Sequence, residues 1–207
     1  MKLLIIKMKK IYAILFLLFF STILSSAQKF QGGIAAGLVG SQVAGDTYSG
    51  YNKPGAYTGI WVRLALNDRS SLQTELSYFQ KGSRHNPDEK KQDYTTYLMR
   101  LGYIEMPFLY QLNLKNKVTL EAGPSFSFLI HSYEELNGLE YTGDFSLFNT
   151  SLMAGVGYPI TQKLSAHFRM DSSILSIRKN IVSEAKSRLF DQGQYNDCIL
   201  FFLSYTL

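Results

Sequence analysis

Residues 101–130, LGYIEMPFLYQLNLKNKVTLEAGPSFSFLI, constrain the fold more than any other stretch, because they spell a strand, a tight turn and a second strand in succession. In the first limb Ile104, Met106, Phe108, Tyr110 and Leu112 share one parity, while Tyr103, Glu105, Pro107, Leu109 and Gln111 share the other. After the turn Asn113 to Lys117 the alternation resumes. Leu120, Ala122, Pro124, Phe126, Phe128 and Ile130 stand against Glu121, Gly123, Ser125 and Ser127. A period of two is the signature of a strand with two unlike faces. One face here is continuous and large, and its opposite is small or polar. That combination suits lipid outside and a narrow barrel interior within.

The same rhythm runs through the chain. Strands are expected at 31–40, 55–66, 71–81, the two limbs of the hairpin, 145–158, 163–175 and from Asn196 to the end. Four long connections of about 14, 15, 14 and 20 residues then alternate with three short turns of about 4, 5 and 4, as in transmembrane barrels with short periplasmic turns and long outer loops. The expected fold is all-β: an eight-stranded antiparallel up-and-down transmembrane β-barrel. The alternative is a soluble lipocalin-like carrier, whose physics does not require long and short connections to alternate. Trp61 falls on the inner parity, where an indole needs a facing gap, and the glycines of the first strand offer one.

The N-terminus fits export. Lys2, Lys7, Lys9 and Lys10 precede the apolar run Ile11 to Phe20, and Ser25-Ser26-Ala27 supplies the small residues of a cleavage site. The apolar run is too short for a spanning helix, which needs about 20 residues. We therefore expect a cleaved signal peptide at 1–27 and one domain, an outer-membrane barrel, at 28–207. Four of the 21 basic residues lie in that leader, leaving 17 against 16 acidic ones. A near-neutral mature chain gives no electrostatic footprint for nucleic acid. With Cys198 as the single cysteine, neither an internal disulfide nor a cysteine-rich zinc site is available.

Parity also sorts the charges. A one-residue slip of every strand would turn Arg63, Glu75, Glu105, Glu121, Arg169 and Asp171 toward lipid, at about 2–4 kcal/mol for each basic residue near the midplane. Facing inward they can pair, so Arg63, Glu75, Lys81, Arg100, Glu105, Glu121, Arg169 and Asp171 are expected to form an internal network that fills the bore. Read as a catalytic carboxylate pair, Glu105 and Glu121 would imply a glycosidase-like site. Their service as acceptors in the network is the simpler expectation. His131, assigned to the inner parity at the outer end of its strand beside Ser132, is the one candidate for ester or acyl chemistry. His167 reads as inner-face filling and His85 as a solvated loop residue. Tyr48, Tyr51, Tyr94, Tyr133 and Tyr141 in the outer loops are candidates for contact with a partner, since tyrosine supplies contact area at low entropic cost. No metal or cofactor motif is present.

The string KPGAYTGIWVRLALNDRSSLQTELSYFQKG, with YIEMPFLYQL, LEAGPSFSFL and MAGVGY, resembles the PorT-family outer-membrane β-barrel domain proteins common in Bacteroidota. The likeness runs over Lys29 to Tyr205. Its most specific parts are Gln80-Lys81-Gly82, Tyr103-Ile104-Glu105-Met106-Pro107 and Glu121-Ala122-Gly123-Pro124. It implies an eight-stranded barrel in the outer membrane; the eponymous member is associated with type IX secretion and gliding, and most relatives have no assigned role. Such barrels end in an aromatic residue read by the barrel-assembly machinery, whereas this chain ends Ser204-Tyr205-Thr206-Leu207.

The expected function is that of a non-enzymatic barrel with a filled lumen, acting through its outer loops or partner proteins as a structural, adhesive or assembly component. Its expected surroundings are outer-membrane lipid and, during biogenesis, the barrel-assembly machinery. Two other classes compete: a lipid- or ester-modifying enzyme using His131, and a passive channel with an open lumen.

Overall fold

Alternating strands with a largely apolar outer face close on themselves. The computed structural model describes residues 30–141, 143–179, 186–188 and 191–207, so the expected leader and its cleavage before Gln28 lie outside the described residues. Eight long strands form the wall: β1 (Phe30–Ala44), β2 (Lys53–Ala65), β3 (Ser70–His85), β4 (Tyr97–Asn113), β5 (Thr119–Leu136), β7 (Phe148–Pro159), β8 (Leu164–Ser173) and β11 (Tyr195–Thr206). Every neighbour is antiparallel, and the β1–β11 pairing, Gly33 opposite Thr206 through Ala44 opposite Tyr195, closes the barrel. Short accessory strands sit in the outer loops: β6 (Leu139–Tyr141) pairs with the end of β5, and β9 (Lys186–Arg188) pairs with β10 (Asp191–Gly193).

The stagger of the wall follows from its registers. Paired residues lead from Tyr103 through Phe79, Tyr57, Gly37, Phe202, His167, Gly157 and Thr119 back to the same strand at Asn113. A shift of ten residues around eight strands tilts each strand by about 40° and leaves a bore that side chains can fill.

Within the membrane belt the strands take the parity expected from their sequence. Ile34, Ile60, Leu76, Phe108, Phe126, Leu152, Met170 and Phe201 are among the large apolar side chains exposed outward, whereas Tyr57, Phe79, Tyr103, Leu109, Leu200 and Phe202 are buried within. An exposed apolar surface running round the whole wall excludes the soluble-carrier reading, because a protein in water does not present such a belt. Three outer loops are shorter than expected, at 45–52, 86–96 and 137–147, because β1, β3 and β5 run beyond the predicted ends, while the fourth, 174–194, keeps about its expected length. Gln80-Lys81-Gly82 therefore does not close its strand, which continues to His85.

Trp61 shows how the narrow bore is filled. The indole lies over Gly33, where an added Cβ would come within 2.4 Å of the ring and 2.1 Å of the Tyr205 carbonyl oxygen. Its Nε1–H donates to the Ile34 carbonyl at 3.2 Å. Gly33→Val is accordingly expected to abolish the folded, heat-modifiable band when the detergent-extracted protein is run unboiled on a gel, whereas Ala36→Val, on the outer parity, leaves it in place.

Candidate functional site

Inner-parity charges from five strands meet in two layers across the bore. In the lower layer Arg169 of β8, with 0% exposure, reaches across to β3. Its Nη1 and Nη2 donate to the two oxygens of Glu75 at 2.9 and 2.8 Å, and its Nε donates to Glu121 Oε1 at 2.8 Å. The Tyr57 hydroxyl also donates to Glu75, and Gln73 Nε2 donates to its Oε1 at 2.7 Å. Gln111 Nε2 links Gln73 Oε1 to Glu121 Oε2, at 3.1 Å each. Arg63 joins through a hydrogen-bonded neighbour, donating to Gln73 Oε1 at 3.1 and 2.9 Å, with its guanidinium 5.0 Å from the Trp61 ring centre. In the upper layer Lys81 Nζ lies 2.6 Å from Asp171 Oδ2 and 2.8 Å from Glu105 Oε2, with Ser125 donating to Glu105 at 2.6 Å. His167 stacks on Phe202 and shares a 3.0 Å hydrogen bond with Ser204.

Seven of the eight expected charges thus line the bore. Arg100 is the exception. It stands on the outer parity of β4, exposed, with its guanidinium 5.8 Å from the Tyr133 ring. The inner-parity positions of Tyr57, Gln73 and Gln111 could have placed them in the network too, but the sequence reading attended only to charge.

His131 also departs from its expected face. Gly102 pairs with His131 and Tyr103 with Leu129, so Ile130 is an extra residue in β5. Such a bulge reverses parity beyond it. His131 and Tyr133 therefore share the outer face with Gly102 and Arg100, while Glu134 turns inward and is buried. Adjacent residues of a strand point to opposite faces, so Ser132 and His131 do not form a nucleophile–base pair.

Glu134 anchors a second cluster, at the outer mouth. Arg178 donates to both of its oxygens at 2.6 and 2.9 Å, and the hydroxyls of Tyr97 and Tyr141 donate to Oε1 at 2.5 and 3.1 Å. The Arg178 guanidinium lies 4.8 Å from the Phe145 ring centre, and its Nε donates to Gln194, which in turn donates to the Gly45 carbonyl at 3.2 Å. Together with Ile177 and Phe145, these contacts tie three outer loops over the mouth. Spacing could not reveal the cluster, because it joins a residue beyond the bulge to one in the longest loop.

Of the five loop tyrosines, Tyr94 and Tyr51 are exposed as expected, at 71% and 38%. Tyr141 is exposed but tied to Glu134. Tyr48 is half-buried, stacked on His85 and Tyr97 at 4.6 and 4.8 Å between ring centres, and Tyr133 belongs to the wall with its hydroxyl on Glu135. Those two serve packing rather than display.

Two predictions follow from this geometry. Removing one partner of a buried pair leaves the other charge uncompensated, at about 3–5 kcal/mol. Arg169→Met should lower stability by that amount in denaturant titrations of the micelle-bound barrel, and Glu75→Gln with Glu121→Gln in the same chain should restore much of it. At the mouth, burial pushes the Asp46 carboxyl from its ordinary 3.8 up to about 6, against the backbone hydrogen bond from Tyr48 that lowers it. Between those values the packed loop holds a proton that the open loop releases, so packing is favoured below about pH 4 and that contribution is lost as the pH rises through 6. Protection of the Tyr48 amide against hydrogen exchange, corrected for the intrinsic rate, should be greater at pH 4 than at pH 7, and Asp46→Asn should flatten the difference.

Comparison with known proteins agrees with this architecture. The chain is similar in structure to Ail, the attachment invasion locus protein of Yersinia pestis, at 14% identity over 86% of this chain and 99% of that one, with a TM-score of 0.51. It is likewise similar to Neisserial surface protein A, at 12% identity over 88% of this chain and 100% of that one, with a TM-score of 0.52. At such identities the likeness concerns the fold. No curated protein sequence matches the chain. The sequence model described as outer membrane protein beta-barrel domain matches residues 25–178, and with the closed eight-stranded wall already seen, the chain belongs to that family of the bacterial outer membrane.

Proposed function

We propose that this protein is a closed, non-conducting, non-enzymatic frame that holds its outer loops rigidly against a partner at the cell surface. The carrying observation is the filled bore: Arg169, Lys81, Phe79 and Tyr103 each have 0–1% exposure at mid-height, where a channel would need water. The mouth cluster supports the same reading, since Arg178–Glu134 pins three loops while Tyr94 is left exposed in the 86–96 loop. That loop is itself ordered locally, with a short 3-10 helix over Glu89–Lys91 whose cap is Asp88. Arrival by a cleaved leader, and insertion by the barrel-assembly machinery, belong to this proposal.

On the resemblance to PorT-family barrels of Bacteroidota, the proposed partner belongs to a secretion or surface-assembly apparatus such as type IX secretion. The opposed faces of His131 and Ser132 favour display over ester chemistry.

Reconstituted in planar bilayers, the protein is expected to give no steady conductance steps. Stable single-channel currents would overturn the closed-bore reading. For the display role, a photo-crosslinking residue at position 94 in cells should capture protein, whereas one at the lipid-facing position 106 should capture lipid alone. Absence of any protein adduct from position 94, and from exposed position 51, would overturn the display role.

A further inference from the structure

The lipid-facing wall changes character abruptly above the apolar belt on β3, β4 and β5. Tyr78, Ile104 and Phe128 lie side by side as the last apolar rank. One rank outward stand Gln80, Gly102 and His131, and the next holds Gly82, Arg100 and Tyr133. The missing side chain at Gly102 leaves a depression there. A Cβ added to it would sit 3.2 Å from the Tyr78 hydroxyl and 3.5 Å from the His131 Cβ, so those two residues form its walls.

The resulting cavity is about 440 Å³ and is lined by Lys53, Tyr78, Gln80, Arg100 and His131 around Gly102, with no carboxylate in its lining. Lys53, 4% exposed on the inner parity of β2, borders the depression from the bore side, while Arg100 lies over the Tyr133 ring and not against a carboxylate. The nearest acidic side chain in the ranks above is Glu135, which is engaged by the Tyr133 hydroxyl at 2.6 Å. Gln80 donates to the Tyr78 hydroxyl oxygen at 3.2 Å and accepts from the Ala56 amide at 3.2 Å. That leaves the Tyr78 hydroxyl hydrogen available to a further acceptor. The Arg100 guanidinium, the His131 ring and one hydroxyl donor, with no carboxylate among them, call for an anion with several acceptor oxygens.

We propose that this depression is a binding site for the phosphorylated headgroup of an outer-leaflet lipid. The choice of a lipid over a free phosphate rests on continuity. The depression opens on the lipid-facing parity, and its floor runs into Ile104 and Phe128, 37% and 59% exposed, along which the acyl chains of the same molecule lie. Arg100 neutralises the phosphate, His131 and the Tyr78 hydroxyl supply hydrogen bonds, and the belt below receives the tails. The site does not depend on what the loops bind or on whether the bore conducts.

The test is native mass spectrometry of the detergent-solubilised barrel titrated with dioleoyl phosphatidic acid, dioleoylglycerol or dioleoyl phosphatidylcholine. Retention of one phosphatidic acid per barrel, at least about tenfold over the other two lipids, is expected. Arg100→Gln with His131→Gln should lower that retention about tenfold while leaving the heat-dependent gel shift unchanged, and Arg100→Gln alone should act in the same direction should the double variant fold poorly. Glycerol 3-phosphate at millimolar concentration should fail to displace the lipid. Equal retention of the three lipids, or equal retention by the wild type and the folded variants, would overturn the site. Full displacement by glycerol 3-phosphate would overturn its assignment to a lipid.

Discussion

The bidentate link from Arg169 to Glu75 crosses the bore between β8 and β3, strands that share no backbone ladder. Every other feature of the interior is arranged around its demands. A guanidinium and its carboxylates taken out of water are tolerated only when their hydrogen-bonding capacity is met. Glu121, Tyr57, Gln73 and Gln111 meet most of it here. The same requirement explains why the bore is narrow: the ten-residue stagger sets a diameter at which side chains from opposite walls touch, so pairing across the interior is achieved without bridging water. A wider barrel would have left these charges solvated and the lumen open.

The second layer and the mouth repeat the principle with different economy. Lys81, flanked by Asp171 and Glu105, sits at a height where the backbone ladders are complete, and it cross-braces β3, β8 and β4. Arg178 and Glu134 act where the ladders are giving out, so their task falls to loops: Gln194 and Gly45 extend the contact from the long 174–194 connection to the first loop. Rigidity therefore continues past the membrane into segments that would otherwise be the least constrained in the fold.

The wall was legible from sequence because lipid enforces a single rule on it. Parity placed the outward apolar set, and every inward charge but Arg100, in the six strands where the alternation is strong, and the gap that Trp61 needs is supplied by one of the first strand's glycines, Gly33. The rule fails where the chain leaves the bilayer. Above the belt an outward position carries no lipid penalty, so nothing in the pattern marked the true strand ends at Ala44, His85 and Leu136. Arg100 was assigned inward on its charge, although two-residue counting from Ile104 puts it outward. His131 was misplaced by counting through Ile130, since an inserted residue between strands of unbroken alternation leaves no compositional trace. The mouth cluster was hidden for a related reason, as one of its two ions lies in a connection whose path no periodicity describes.

That inserted residue has a reach beyond its own position. Below Ile130 the strand keeps phase with the membrane, and above it the phase is reversed, so one unit of chain length decides which neighbour becomes the mouth's acidic anchor and which joins the basic wall. The inward turn of Glu134 and the outward turn of His131 are thus one event seen from two sides. Selection acting on either face must act on both, which binds the chemistry presented sideways to the bilayer to the chemistry that holds the loops above it.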